Sequence, residues 1–454
     1  MEVAFLSRLI ELSNLLEQEI YVVGGFTRNY LINKTISKDV DICSPVQAEI
    51  VKSAVLKLNG VIKAEYKRTG TIKFSLEDFD FEYTSFRTDL YLKGEHKPYK
   101  TIFTDSIIQD AKRRDFRCNA VYYGVKSGKF YDPLGGIKDI KRKILNTVKA
   151  PKKVFCFDGL RLMRLARFAG ELGFKPTKRV VCAAKKYSFN LQDVSKERIR
   201  EELEKILVAD QKHSFSPKNG HYVALSILRK ANLLKEFLPE LNLGNKMGQR
   251  RDYHKYSVLE HTFKTVEYAP KEIRLFALLH DVGKPYCKIN NGKFSNHDGQ
   301  GARLTREILK RLKFPTKTIL TAEKVVKNHM FNVKTNRTEK EKRLFLVENK
   351  DILQYLLPLI NADYLAGKPK EKISKNYLEL KELLEKMQRE GTPFSVKELN
   401  VSAIDLLEIG ILEKDLAKML KILLNCVVDN SIINERQSLV KKAKEIYINI
   451  DYAN

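Results

Sequence analysis

The stretch Val22-Val23-Gly24-Gly25-Phe26-Thr27-Arg28, followed shortly by Asp39-Val40-Asp41, decides how the rest of the chain is read. Ile20 to Val23 has the apolar, β-branched character of a short buried strand. Gly24-Gly25 breaks it, Thr27 to Ile32 fits a short helix, and Val40 to Cys43 fits a second strand. In a strand, residues i and i+2 point to the same face, which puts the carboxylates of Asp39 and Asp41 together. Such a pair can hold hard divalent cations and clamp the attacking and leaving oxygens of a phosphoryl transfer. The glycines upstream let the backbone approach a phosphate, and a helix start supplies free N–H groups. Glu82, on the predicted strand Phe81 to Ser85, is a candidate third carboxylate.

Outward from this centre, apolar residues from Val3 to Leu16 recur near helical period and predict an opening helix. Further strands are predicted at Ile62 to Tyr66, Thr71 to Leu76 and Phe79 to Phe86. After Asp132-Pro133-Leu134-Gly135-Gly136 the strand signals fade, and from Phe155 the pattern is helical almost to the end. Ser214 to Gly220 reads as a loop, with linkers at Asn242 to Asp252 and Gly367 to Lys372. The expected fold class is α+β. A head over 1–148 combines a mixed or antiparallel sheet with helices, and an all-α neck (149–245), a third region (246–372) and a helical tail (373–454) follow.

The chain has 454 residues, with 83 Lys and Arg against 56 Asp and Glu, a formal net charge of +27. With 43% hydrophobic and 31% charged residues the composition is that of a packed soluble protein, neither fibre nor disordered tail. No apolar run approaches the roughly 18 residues of a membrane span, so no membrane partner is expected. The first twenty residues carry acidic side chains among the apolar ones and no small-residue cleavage site, unlike a signal peptide. The six cysteines are scattered without a Cys-x-x-Cys pair, which fits a reducing cytoplasm. The cationic excess favours a polyanionic partner, because neutralising phosphates releases counterions.

The glycine turn, the aspartate pair, Arg113-Arg114-Asp115-Phe116-Arg117-Cys118-Asn119-Ala120 and Asp132 to Gly136 follow one another in an order that resembles the class II tRNA nucleotidyltransferases, the CCA-adding enzymes and their bacterial poly(A) polymerase relatives. The resemblance continues through Asp158-Gly159-Leu160-Arg161-Leu162-Met163-Arg164-Leu165-Ala166-Arg167-Phe168 and Glu197-Arg198-Ile199-Arg200-Glu201-Glu202-Leu203. It implies that Asp39 and Asp41 bind Mg²⁺. It further implies that Gly24, Gly25, Arg28, Arg113, Arg114, Asp115, Asn119, Asp158, Arg161, Arg164 and Arg167 bind the nucleotide. In that reading Asp115 and Asn119 bond the ribose, and Arg113 and Arg114 neutralise phosphate charge.

Asp158 and Arg161, at i and i+3, are expected to share one helix face. Cytosine and adenine both present an amino donor beside a ring-nitrogen acceptor, which a carboxylate beside a guanidinium complements. Guanine and uracil present the reverse order, leaving polar groups unpaired. Two positions depart from the family pattern: Phe157 stands where the family has Glu, and Asn29 where it has Asp. Phe86 to Lys100 resembles the family's mobile loop in length and position.

In the helical part, His261, His280-Asp281, His297, His329 and Asp363 resemble the ligand order of an HD-type metal-dependent phosphohydrolase domain. Imidazole and carboxylate ligands suit divalent metals such as Mg²⁺, Mn²⁺ or Ni²⁺. Val401 to Ile411 and Asn434-Glu435-Arg436 resemble the tRNA-cradling tail of bacterial CCA-adding enzymes. The expected activity is template-independent addition of C and A to the tRNA 3′ end from CTP and ATP, with pyrophosphate released. The expected partners are the tRNA 3′ end and acceptor arm, with no obligatory protein partner. The alternatives are an A-adding enzyme or poly(A) polymerase, or an RNA-end phosphohydrolase acting through the HD region.

Overall fold

The computed structural model describes residues 5–34, 39–90, 99–248, 256–331 and 337–451, without the side chains of Asp39 and of 449–451. The chain divides into two compact units, one of 1–242 with 311–313 and the other of 243–310 with 314–454. The expected head and all but 243–245 of the expected neck fall in the first unit, and the third region, apart from 311–313, and the tail in the second.

In the first unit, α1 (Leu6–Leu15) leads into β1 (Tyr21–Val23), α2 (Gly25–Asn33), β2 (Asp39–Ser44) and α3 (Ala48–Lys57). The strands β3 (Val61–Tyr66), β4 (Thr71–Leu76) and β5 (Phe79–Ser85) follow. A short ribbon, β6 (Arg87–Leu90) with β7 (Lys100–Phe103), precedes α4 (Ile107–Arg113), β8 (Tyr122–Gly124), β9 (Phe130–Tyr131) and α5 (Gly136–Lys141). The loop expected between Phe86 and Lys100 thus has a paired strand at each end, and residues 91–98 lie outside the described residues.

The main sheet has seven strands in the order β3-β4-β5-β2-β1-β8-β9. Only β2 and β5 run parallel; the other neighbours are antiparallel. The sheet is mixed because α3, β3 and β4 carry the chain across before β5 returns beside β2. One face buries Val22, Val40, Ile42, Ile72, Phe74 and Phe81 against α1 and α3. Phe5 sits edge-on to Phe26, Phe79 and Phe81 with ring centroids 5.1 to 5.8 Å apart. Such pairs add about 1 kcal/mol each beyond area burial.

Beyond the sheet the first unit is nearly all helix: α6 (Pro151–Phe157), α7 (Leu160–Leu172), α8 (Lys178–Lys186), α9 (Lys196–Leu207) and α10 (Gly220–Lys230). α7 and α10 cross at two glycines. A Cβ on Gly170 would stand 2.4 Å from the Gly220 carbonyl oxygen, and one on Gly220 would stand 2.6 Å from that of Gly170. The absent side chains are what let the backbones meet. Among the described residues of the second unit the regular elements are helices, from Val258–Tyr268 to Arg436–Asp451, with one isolated bridge between Gly248 and Ser257. The fold class is α+β, as the sequence predicts. The linker expected at 242–252 is helical or turn-like up to 246, and 249–252 lie outside the described residues. No helix among the described residues is long and apolar enough to cross a membrane.

Candidate active site

β1 pairs antiparallel with β2 so that Val23 stands opposite Asp41. The chain then leaves the sheet through Gly24, at φ +78° and ψ −133°. A side chain there would be strained, and its Cβ would lie 2.8 Å from Asp41 Oδ2. The Asp41 carboxylate therefore lies directly against the glycine turn that opens α2. Across the parallel pair, Asp41 stands opposite Glu82 and Asp39 opposite Asp80. Glu82 is half-exposed, bonds Lys73 at 2.9 Å, and is not among the residues lining the adjacent cleft. Lys73, its partner across the antiparallel pair with β4, draws its carboxylate toward that strand.

The cleft beside Asp41 holds about 420 Å³. Among the described residues, eight cationic and four acidic side chains line it, an excess that suits a polyanion. Gly24, Gly25, Arg28, Arg113, Arg114 and Asp115 line it, as do Asn119, Asp158, Arg161, Arg164 and Arg167. The structure thus brings together every residue that the sequence assigned to nucleotide binding.

Several of these residues bind one another. Arg28, 4% exposed, donates Nη1 to Asn119 Oδ1 at 2.6 Å, and Nε and Nη2 to Asn29 Oδ1 at 3.0 and 2.9 Å. Burial dominates its environment and lowers its pKa from the usual arginine value. The family's aspartate would pair this guanidinium; Asn29 supplies only an amide oxygen. Asp115 Oδ1 accepts from the Phe116 N–H at 2.7 Å and from Asn119 Nδ2 at 3.0 Å, and Oδ2 accepts from Arg164 Nε at 2.7 Å. Burial opposes its charge, but Arg164, Asn119 and Arg161 outweigh that and hold the carboxyl well below its usual range.

Arg28, Arg164 and Arg167 surround the Phe168 ring, with their guanidinium carbons 5.2, 5.3 and 4.2 Å from its centroid. Arg167 is also tied to Glu202 at 2.7 Å and to Glu171 at 3.0 Å, both buried. Its charge is therefore matched from within the neck.

Asp158 corrects one expectation. It does not share a helix face with Arg161, because it sits in extended conformation between α6 and α7. Its Oδ1 accepts from the Leu160 N–H at 3.0 Å, and Oδ2 lies 3.9 Å from Arg161 Nε. Arg161 Nη2 donates to the Arg113 carbonyl at 2.6 Å. Phe157, where the family has Glu, ends α6 and lies with Asp89 and Arg161 along a small side pocket. Asp110, Glu171, Arg198, Lys212 and His213 were not singled out from the sequence. Of these, Asp110 carries a legible sign, a carboxylate three and four residues before Arg113 and Arg114 on a helix.

In the second unit, His261, His280, Asp281, His297, His329 and Asp363 converge. His261 Nε2 lies 2.7 Å from Asp363 Oδ1, and His280 Nε2 lies 3.3 Å from the same oxygen and 3.2 Å from Asp281 Oδ2. His297 and His329 Nε2 lie 3.5 and 3.8 Å from Asp281 Oδ1. His280, His297 and His329 each donate Nδ1–H to a backbone carbonyl, at 2.8, 2.8 and 2.6 Å, which leaves Nε2 with its lone pair. The Nε2 atoms of His297 and His329 are buried with no hydrogen-bond partner among the described residues. Orphaned nitrogens aimed at shared carboxylates fit a divalent cation. Without a cation, burial works against charge on His280, but Asp281 and Asp363 prevail and raise its pKa to about 10.

The comparisons agree with this geometry. Residues 20–146 match the family model described as the poly A polymerase head domain, 173–243 a probable RNA and SrmB-binding site of polymerase A, and 227–368 the HD domain. The nucleotidyltransferase and HD families are generally metal-dependent. The CCA-adding enzyme of Anoxybacillus flavithermus is 33% identical over 225 residues, 49% of this chain and 52% of that protein. The CC-adding tRNA nucleotidyltransferase of Thermus thermophilus is 27% identical over 372 residues, 78% of each chain. The chain spans about half the length of the curated CCA-adding enzymes it matches. The structure of the Bacillus stearothermophilus CCA-adding enzyme in complex with CTP is similar over 100% of both chains, with TM-score 0.70 and 22% identity. That of the Thermotoga maritima CCA-adding enzyme complexed with tRNA covers 97% of this chain and 94% of its own, with TM-score 0.56 and 17% identity. The chain thus carries matches to the poly A polymerase head domain, its RNA-binding segment and the HD domain in that order, and shares the fold of CCA-adding enzymes.

Proposed function

We propose that this protein adds C and A nucleotides to the 3′ end of tRNA, without a nucleic-acid template, from CTP and ATP and with release of pyrophosphate. The observation that carries the reading is the Asp41 carboxylate closed on the Gly24 turn at one end of an arginine-lined cleft, with Asp158 and Arg161 in the same cleft. Asp41, with Asp39, would hold Mg²⁺, which when bound lowers the barrier to attack by an RNA 3′-hydroxyl on the α-phosphorus. The arginines bind and orient the triphosphate. Arg28 meets it with a buried cation, and Arg113 and Arg114 meet it from α4 and the residue after it. Asp158 accepts from the exocyclic amine of cytosine or adenine, and Arg161 donates to the adjacent ring nitrogen. Uracil and guanine leave both groups unpaired, which is costly in a buried site.

The deciding experiment uses tRNAs ending at the discriminator base, after one C and after two Cs, each with CTP, ATP or both. Stepwise extension to CCA by the wild type, and none by Asp41→Ala at unchanged tRNA affinity, is expected. Extension with ATP alone, whatever the starting end, would assign the protein to the A-adding or poly(A) alternative.

The buried histidine and aspartate cluster favours a second, separate activity on RNA-end phosphates. There His261, His280, Asp281 and Asp363 would hold a divalent cation, which supplies an activated water when bound. Lys284, 2.6 Å from Asp281 Oδ2, adds a cation beside it. Phosphate release from a 2′,3′-cyclic phosphate dinucleotide, abolished in His280→Ala, tests this reading.

A further inference from the structure

Asp110 is completely buried, so no substrate can touch it, yet both of its oxygens hold arginines that line the cleft. Arg113 donates Nε to Oδ1 at 2.6 Å. Arg114 donates Nε and Nη2 to Oδ2 at 3.2 and 3.1 Å. The Tyr122 hydroxyl donates to Oδ2 at 2.7 Å and accepts from Arg114 Nε at 3.1 Å. Asp110 and Arg113 share α4, and Tyr122 is anchored on β8 of the main sheet, so the carboxylate is fixed from both sides.

These bonds engage the Nε of each arginine and one Nη of Arg114. The remaining Nη groups are the parts of the two guanidiniums left for the cleft. Two neighbouring cations repel, and a buried carboxylate between their near edges offsets that repulsion. A guanidinium fixed along one edge also loses less side-chain freedom when its other edge meets an anion. Arg161, through its 2.6 Å bond to the Arg113 carbonyl, ties the same segment to the base-reading side of the cleft.

We infer that Asp110 is a positioning residue that holds Arg113 and Arg114 in register for the phosphates of the incoming nucleoside triphosphate. The inference rests on the nucleotide-addition reading and deepens it. It separates two properties that a merely structural residue would affect together. Loss of fold lowers the active fraction, and so kcat, without touching KM. Loss of register weakens recognition of the phosphates and leaves recognition of the base intact.

The test uses the full chain as wild type, Asp110→Asn and Tyr122→Phe. Asparagine keeps the shape but carries no charge, and turns an N–H₂ toward one of the two arginines. Two quantities are read: KM and kcat for ATP on a tRNA ending in CC, and the affinities for ATP and AMP without tRNA. For Asp110→Asn, KM for ATP is expected to rise about tenfold, the effect of weakening one charge-assisted hydrogen bond, with kcat nearly unchanged. The preference for ATP over AMP shrinks by a similar factor while AMP affinity holds. Tyr122→Phe moves the same quantities in the same direction, by less. An unchanged KM and an unchanged ATP-over-AMP preference in a folded Asp110→Asn protein overturns the inference. If that variant does not fold, an unchanged preference in Tyr122→Phe overturns it instead. Should the wild type extend no tRNA, the nucleotide-addition reading fails on its own, and the ATP-over-AMP comparison still decides for or against the clamp.

Discussion

The carboxylate of Asp41 occupies the space that a side chain on residue 24 would need, with Oδ2 only 2.8 Å from where a Gly24 Cβ would stand. The strand register brings this about, since Val23 pairs with Asp41 and the next residue must turn out of the sheet. Gly24→Ala should therefore displace the carboxylate as well as strain a backbone at φ +78°. The strain alone is about 1–3 kcal/mol. Nucleotide incorporation should fall by about a hundredfold or more, the usual sensitivity of transfer chemistry to a misplacement near 1 Å, while the melting temperature drops by only a few degrees. Primer-extension rates beside a thermal melt check this, and near-normal extension would sink the role given to the turn.

Asp110 makes an acid-stability prediction with a definite sign. Burial opposes its ionisation, but Arg114, Arg113 and Tyr122 outweigh it and hold the carboxyl at about 2, against an ordinary 3.8. A pKa depressed in the folded state contributes stability above the unfolded pKa, and that contribution is lost as pH falls through the folded one. Asp110 should thus contribute on the order of 2 kcal/mol at neutral pH, disappearing between about pH 4 and pH 2. Denaturant unfolding followed across that window should show the gap between wild type and Asp110→Asn closing as pH falls. A gap that stays constant would deny the carboxylate its charge in the folded protein.

The head was legible because short apolar, β-branched runs and a glycine turn are local signals, and β1, β2, β4 and β5 lie within a residue of where those runs put them. Asp158 was misread for a local reason too. Asp-Gly is a turn signal, and the helical period of the following residues was extended backwards through it. The turn is then locked by a tertiary contact, since a Cβ on Gly159 would stand 2.2 Å from the Asn190 carbonyl oxygen. The pairing of Arg167 with Glu202, thirty-five residues on, depends on how α7 and α9 pack, and nothing in local pattern foretells it. The histidine cluster was legible as residue types in order. Its tautomers were not: those of His280, His297 and His329 are set by the carbonyl three residues before each imidazole, a bond that depends on the side-chain rotamer and not on residue type.

The same cluster predicts metal-dependent stability in the second unit. A cation that binds the folded cluster and not the unfolded chain stabilises by about 2.7 kcal/mol at a hundred times its Kd. Added Mn²⁺ or Ni²⁺ should raise the melting temperature, EDTA should reverse the shift, and Asp281→Ala should remove it, because both groups of candidate ligands share that residue. Elemental analysis of purified wild type and Asp281→Ala gives an independent reading. Equal metal content in the two would refute the assignment.

Arg161 can be tested apart from Asp158 because the two are held by different bonds. Asp158 is fixed by its own backbone conformation and by the Leu160 N–H at 3.0 Å, whereas the guanidinium, 3.9 Å from it, is held by the Arg113 carbonyl. Arg161→Ala should accordingly leave the carboxylate in place and remove only the donor to the ring nitrogen. Cytosine and adenine then lose one bond, and the rejection of uracil and guanine weakens with it. A polar group left unpaired costs about 1–3 kcal/mol, so selectivity for CTP and ATP over UTP and GTP should fall by about one to two orders of magnitude. Asp158→Ala, by contrast, also removes the acceptor of the Leu160 N–H at the start of α7, which costs about 1 kcal/mol, so a lower melting temperature should accompany its loss of selectivity. Competition assays with paired nucleotides measure the first effect and thermal melts the second. Unaltered base preference in Arg161→Ala would remove that residue from base selection, whatever its place in the cleft.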